Sequence, residues 1–202
     1  MKYSEEIQKL LPLGYLYLVI LGILKESLFY YQFGINILKY STIMDILISP
    51  IAEFTSNPLT LVFIVLLFVF HYYLPKILQK HKDKRTFQKM LELKSTEGLS
   101  EEAAKNYYIF VSFKTFAMIL LSFFIGTGIG NGYFAMEKIK NGTAKYNYKL
   151  NYNSGESEQI YLINSNSIYC FYIQERSKII KIAPIAAIKN IEKDLKFGFI
   201  AQ

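Results

Sequence analysis

Apolar residues in this chain are gathered into three long runs, and no other feature constrains the fold as much. The runs extend from about Leu10 to Tyr31, from Leu59 to Leu74, and from about Tyr107 to Ile129. An α-helix rises about 1.5 Å per residue, so roughly 20 residues cross a hydrocarbon core of about 30 Å. With their flanks, all three runs are long enough. Hydrophobic residues make up 52% of the 202 positions and charged residues 19%. Evenly spread, that balance would suit a soluble core; gathered into runs, it predicts three transmembrane helices.

The first run does not read as a cleaved leader. Glu5 and Glu6 stand in what would be its basic region, and no small-residue cleavage site follows it. The second run has the clearest limits. Asn57-Pro58 offers a cap and a proline at the first helical position, Tyr72 and Tyr73 suit an interfacial belt, and Pro75 predicts a kink or an end.

Beyond Pro75 the composition changes abruptly. Lys76, Lys80, Lys82, Lys84, Arg85 and Lys89 are opposed by one acid, Asp83. Short flanks rich in Lys and Arg stay in the cytoplasm. The connection between the first two runs offers only Lys39. This asymmetry places residues 76–106, a basic helical hairpin, inside the cell with the N-terminus. Residues 131–202 then fall outside, in the periplasm of a Gram-negative cell. Lys138, Lys140, Lys145 and Lys149 pull the other way, but a long folded segment translocates largely regardless of its charge. The formal charge of +7 would raise nucleic acid as a partner for a soluble protein. Here the excess lies beside an apolar run, so anionic lipid headgroups are the simpler partner and no direct nucleic-acid binding is expected.

Between the first two runs, Ile43, Ile46, Leu47, Ile51 and Phe54 recur at helical spacing, and Thr42 with Asp45 resembles a capping pair. Lys39, Asp45 and Glu53 make a full crossing costly, so residues 41–55 are expected as an interfacial or re-entrant helix on the outer side. Within the basic hairpin, Ile77, Leu78, Phe87, Met90 and Leu91 supply apolar points and Gly98 a stop. Ser100 then caps a helix whose Glu101 and Glu102 suit its positive end, and this helix should run straight into the third span.

After residue 130 the period shortens to two. Tyr146, Tyr148, Leu150 and Tyr152 alternate with Lys145, Asn147, Lys149 and Asn151. "NSGES" reads as a turn, "QIYLI" and "IYCFYIQ" as strands flanking "NSNS", and "ERSK" turns into "IIKIA". "PIAAIKNIEKDL" fits a strand or a short helix. The expected fold is therefore a transmembrane domain (1–130) of three helices plus the interfacial helix, followed by a small antiparallel β module (131–202) of four or five strands. Such a sheet needs a cover for its apolar face: its own curvature, the last segment or a partner.

Chemistry-bearing constellations are sparse. His71 and His81 lie ten residues apart without a third ligand, so no metal or other cofactor is expected. Cys170 sits in a strand pattern, where a buried small hydrophobe is the simplest role; as the single cysteine it forms no intrachain disulfide. "GTGIGNG" precedes no helix of a βαβ unit and is no dinucleotide fingerprint. Lys25 and Glu26 differ in kind. Charges inside or at the end of a span are functional candidates, set against simple snorkelling to the interface. Lys114 is expected to snorkel inward. On the third run, Ser122, Gly126 and Gly130 form one small-residue face, and Gly128 with Gly132 a second. Either a helix–helix contact or a frayed helix end predicts such glycines. Tyr146, Tyr148, Tyr152, Tyr161, Tyr169, Phe171 and Tyr172 could form a binding surface, although tyrosine is an ordinary strand residue.

Three functions compete. The first is a non-enzymatic inner-membrane protein acting by interaction, as a sensor or complex subunit, with Lys80, Lys82, Lys84 and Arg85 meeting lipid or a soluble partner. The second is an oligomeric pore or transport subunit assembled through the third span. Such a pore would suit a membrane-disrupting effector, for example in defence against phage. The third, an intramembrane enzyme, lacks converging acids, bases and nucleophiles.

Overall fold

The computed structural model describes residues 2–81, 88–89, 91, 93, 96 and 98–194. Four α-helices are described in full: α1 (Lys2–Tyr31), α2 (Ile43–Ser56), α3 (Pro58–Lys80) and α4 (Glu101–Lys140). Three are long and apolar enough to cross a membrane: α1 over Leu11–Tyr31, α3, and α4. The 14 residues of α2 reach only about 21 Å. Five strands follow: β1 (Tyr148–Tyr152), β2 (Ser157–Ser165), β3 (Tyr169–Gln174), β4 (Ile180–Pro184) and β5 (Ile188–Lys193). The chain forms two compact units, residues 1–49 with 127–202, and residues 50–126.

The helix starts follow the capping chemistry. Asn57 Oδ1 accepts from Leu59 N at 3.0 Å, with Pro58 opening α3. Thr42 and Asp45 cap each other: Thr42 N donates to Asp45 Oδ2 at 2.9 Å and Asp45 N to Thr42 Oγ1 at 3.1 Å. Ser100 Oγ accepts from Ala103 N at 3.2 Å, and Glu101 and Glu102 stand in the first turn of α4.

At two helix ends one of the expected alternatives is excluded. Pro75 does not end α3, which continues to Lys80. A proline removes the N–H that would bond the carbonyl four residues back, here that of His71. Ser112 on α4 replaces it, its hydroxyl donating to His71 O at 2.6 Å. A neighbouring hydroxyl thus removes the penalty that would have stopped the helix. Likewise, the glycines of α4 do not fray its end. The helix runs through Gly132 to Lys140 and closes only at Gly142, whose φ is +68°.

The sheet is antiparallel throughout, in the order β4-β3-β2-β1-β5. The last segment forms β5 after a single 3-10 turn, Ile185–Ala187. Four steps from Pro184 to Ile188 span at most about 14 Å. The edges of a flat five-stranded sheet stand about 19 Å apart. The sheet therefore curls, helped by register shifts at Asn151/Tyr152 and Leu162/Asn164. Its concave core is Leu150, Ile160, Cys170, Tyr172 and Ala183. Its other face is covered by the N-terminal helical corner: Phe171 packs with Tyr30 and Ile37. Curvature and the chain's own helices together supply the cover.

Candidate functional site

The sequence candidates Lys25 and Glu26 come together with a third residue that the sequence did not mark. Lys25 Nζ lies 3.6 Å from Glu26 Oε1, and both side chains are nearly buried, at 12% and 14% exposure. Ser49 of α2 joins them, accepting from Lys25 Nζ at 3.1 Å while its hydroxyl donates to Glu26 Oε1. A buried carboxylate and ammonium are costly unless paired and hydrogen-bonded, and here each meets the other and a hydroxyl. Glycines allow the backbones to approach this closely. A Cβ at Gly22 would lie 2.0 Å from Ile46 O, and one at Gly128 would lie 2.6 Å from Lys25 O. At Gly132 it would meet Phe29 O at the same distance. Pro50 explains the first contact, since it leaves the Ile46 carbonyl without its helical N–H donor.

The β module docks one turn away on the same two helices. On α1, Tyr30 follows Glu26 by four residues, and its ring meets Phe171 edge-on at 4.8 Å between centroids. On α2, Asp45 precedes Ser49 by four residues; its carboxylate accepts from Ser167 N and Ser167 Oγ, both at 3.0 Å. Asn166 Nδ2 adds a bond to Tyr40 O at 3.0 Å, and Tyr40 stacks edge-on with Tyr169. Residues four apart share a helix face. One face of each helix therefore carries both a module contact and a charge-cluster contact. Burial pushes the Asp45 carboxyl upward, but the Thr42 and Ser167 hydrogen bonds outweigh it, and its pKa lies below the ordinary 3.8.

The other sequence candidates are distributed as follows. Ser122 and Gly126 are exposed on α4, and an added Cβ at Gly126 or Gly130 would touch nothing. The close approach within the chain thus uses Gly128 and Gly132, leaving the Ser122, Gly126 and Gly130 face open. Lys80 is exposed at the end of α3, whereas Lys82, Lys84 and Arg85 lie outside the described residues, as do Phe87 and Met90. His71 and His81 each place Nδ1 against a carbonyl one turn back, Leu67 O at 2.8 Å and Ile77 O at 3.1 Å. Cys170 is fully buried, and burial raises its thiol pKa to about 11, an inert setting for a nucleophile. Of the module aromatics, Phe171 and Tyr172 are core residues. Tyr172 Oη bonds Tyr152 Oη and donates to Glu158 Oε2 at 3.0 Å; burial first, then these bonds, raise its pKa. Lys181 Nζ completes the network at 2.6 Å from Glu158 Oε1.

No protein-family model, curated protein sequence or solved structure matches this chain.

Proposed function

We propose that this chain is a multi-pass protein of the bacterial inner membrane that acts by interaction, as a membrane-anchored sensor or a subunit of a larger complex. In this reading α1, α3 and α4 cross the bilayer and α2 lies at its outer surface. The N-terminus and the basic run after α3 stay in the cytoplasm, and the β module faces outward. The observation that carries the proposal is the one-turn spacing between the module's dock and the buried charge cluster. A partner or ligand that shifts the module pulls on Tyr30 and Asp45. Those residues are rigidly linked, through one helical turn each, to Glu26 and Ser49. The ion pair and its bridging hydroxyl are the element that we take such a pull to bias.

Hydrogen exchange on the detergent-solubilised protein tests the coupling. Phe171→Ala loosens the module's dock and should raise exchange in residues 22–31 and 43–49. Unchanged exchange there, with the module visibly loosened, would refute the sensor mechanism. For the subunit role, a co-purifying partner should be lost when Lys80, Lys82, Lys84 and Arg85 are neutralised. A partner retained at full yield would count against that basic contact.

The open Ser122, Gly126 and Gly130 face favours a second reading, an oligomeric pore or transport subunit packed through α4. Ion leakage on expression, abolished by Gly126→Leu or Gly130→Leu, would select it.

A further inference from the structure

Within residues 50–126, α3 and α4 line a half-open groove of about 690 Å³. Its wall is strongly aromatic, with Phe68, Phe113 and Phe116 among the lining side chains. One end is different. Lys76 and Lys105 both line it, no acidic residue does, and neither lysine forms an ion pair among the described residues. Lys76 stands 18 residues beyond Pro58, about 27 Å along the helix, which is the depth of a bilayer's far headgroup layer. Lys105 lies just before the apolar run of α4, at the corresponding level. His71 lines the same groove. Its Nδ1 is bonded to Leu67 O, while its Nε2 is the single buried side-chain polar atom without a partner among the described residues.

We infer that this groove is a binding site for one anionic phospholipid of the cytoplasmic leaflet, its phosphate between Lys76 and Lys105 and an acyl chain along Phe68, Phe113 and Phe116. Charge complementarity decides the occupant. Water would leave the aromatic wall wet, and an apolar helix from a partner would bury two lysines without a counter-charge. A phospholipid meets both demands, and basic pockets between helices at this level suit anionic headgroups. This inference rests on the membrane placement proposed above.

The test is native mass spectrometry of the full chain released from detergent in the presence of phosphatidylglycerol or phosphatidylcholine. Phosphatidylglycerol should bind at least tenfold more tightly than phosphatidylcholine, and Lys76→Gln with Lys105→Gln should abolish that preference. Lys138→Gln with Lys140→Gln removes the same charge from the other end of α4 and should leave it intact. Equal binding of the two lipids would overturn the site. So would equal losses in the two lysine pairs, competition by inorganic phosphate, or a stoichiometric protein in the groove that excludes lipid. Carbonate extraction of membranes separates the two levels. Release of the chain would refute the membrane placement itself, while a retained chain without lipid preference would refute the groove alone.

Discussion

Lys25 and Lys76 each lie near the end of an apolar helix, yet their surroundings have opposite character. Lys25 has an adjacent carboxylate, a bridging serine and glycines that bring the backbones together. Lys76 borders a groove with a second lysine and no acid. The first is a closed polar cluster, complete without any ligand. The second is open, and its chemistry is completed from outside. The difference separates a structural linkage from a binding site, although in sequence both are charges beside apolar runs.

Breaking the closed cluster on one side should give the largest effect. Glu26→Ala strands a buried ammonium and should cost about 3–5 kcal/mol, read as a fall in Tm in detergent. Replacing both charges, Lys25→Met with Glu26→Leu, should cost far less, because no unpaired charge remains. Equal losses in the single and double variants would show that the cluster is not closed. Lys76→Met, by contrast, should leave Tm nearly unchanged.

The glycines sharpen the same contrast on one helix. Gly128→Ala drives a methyl into the Lys25 carbonyl and should cost about 1–3 kcal/mol. Gly126→Ala meets open space and should stabilise α4 by up to about 1 kcal/mol. A thermal-unfolding series that ranks these two in reverse would place the α1 contact on the wrong face.

An effect of similar size is expected at the proline. Ser112→Ala leaves the His71 carbonyl unsatisfied and should cost about 1–3 kcal/mol. In a Pro75→Ala background the helix recovers its own N–H donor, so Ser112→Ala should become nearly neutral. A double-mutant cycle with no coupling would remove Ser112 from the explanation of why α3 continues.

The smallest effect concerns pH. The Asp45 pKa is lower in the folded protein than in the unfolded chain. Its contribution is therefore fully present above the unfolded value and is lost as pH falls through the folded one. The protection factor of the Ser167 amide should fall on acidification below about pH 4, and Asp45→Asn should flatten that fall. A pH-independent protection factor at Ser167 in the native sequence would remove Asp45 from the dock.

Much of the fold could be read from local chemistry. The Asn57-Pro58 start, the Thr42–Asp45 pair and the Ser100 cap depend on neighbours within a few residues, and period-two alternation marked the strands. "PIAAIKNIEKDL" was ambiguous because Ile185, Ile188 and Ile191 also fit a helical spacing; pairing with β1 decided for a strand. That α3 continues past Pro75 is not legible locally, because Ser112, which satisfies the freed carbonyl, is 37 positions away. The candidate site was half legible. Lys25 and Glu26 are conspicuous in an apolar run, but Ser49 is an ordinary serine until α2 folds against α1. Gly128 and Gly132 could not be told from Gly126 and Gly130, because the two pairs differ only in which face another helix occupies. The groove left no sequence signal, since a groove is defined by residues from two helices and by what does not fill it.

The whole of the proposed function depends on which side of a membrane each end occupies. Single cysteines at Ser154, in the exposed β1–β2 turn, and at Lys80, at the end of α3, can be challenged with a membrane-impermeant maleimide in spheroplasts. Cys170 is buried and should stay silent. Labelling at position 154 in sealed spheroplasts, and at position 80 only after lysis, is the expected result. Labelling at position 80 with protection at 154 would invert the topology and contradict the proposal of an outward-facing module above a cytoplasmic basic surface.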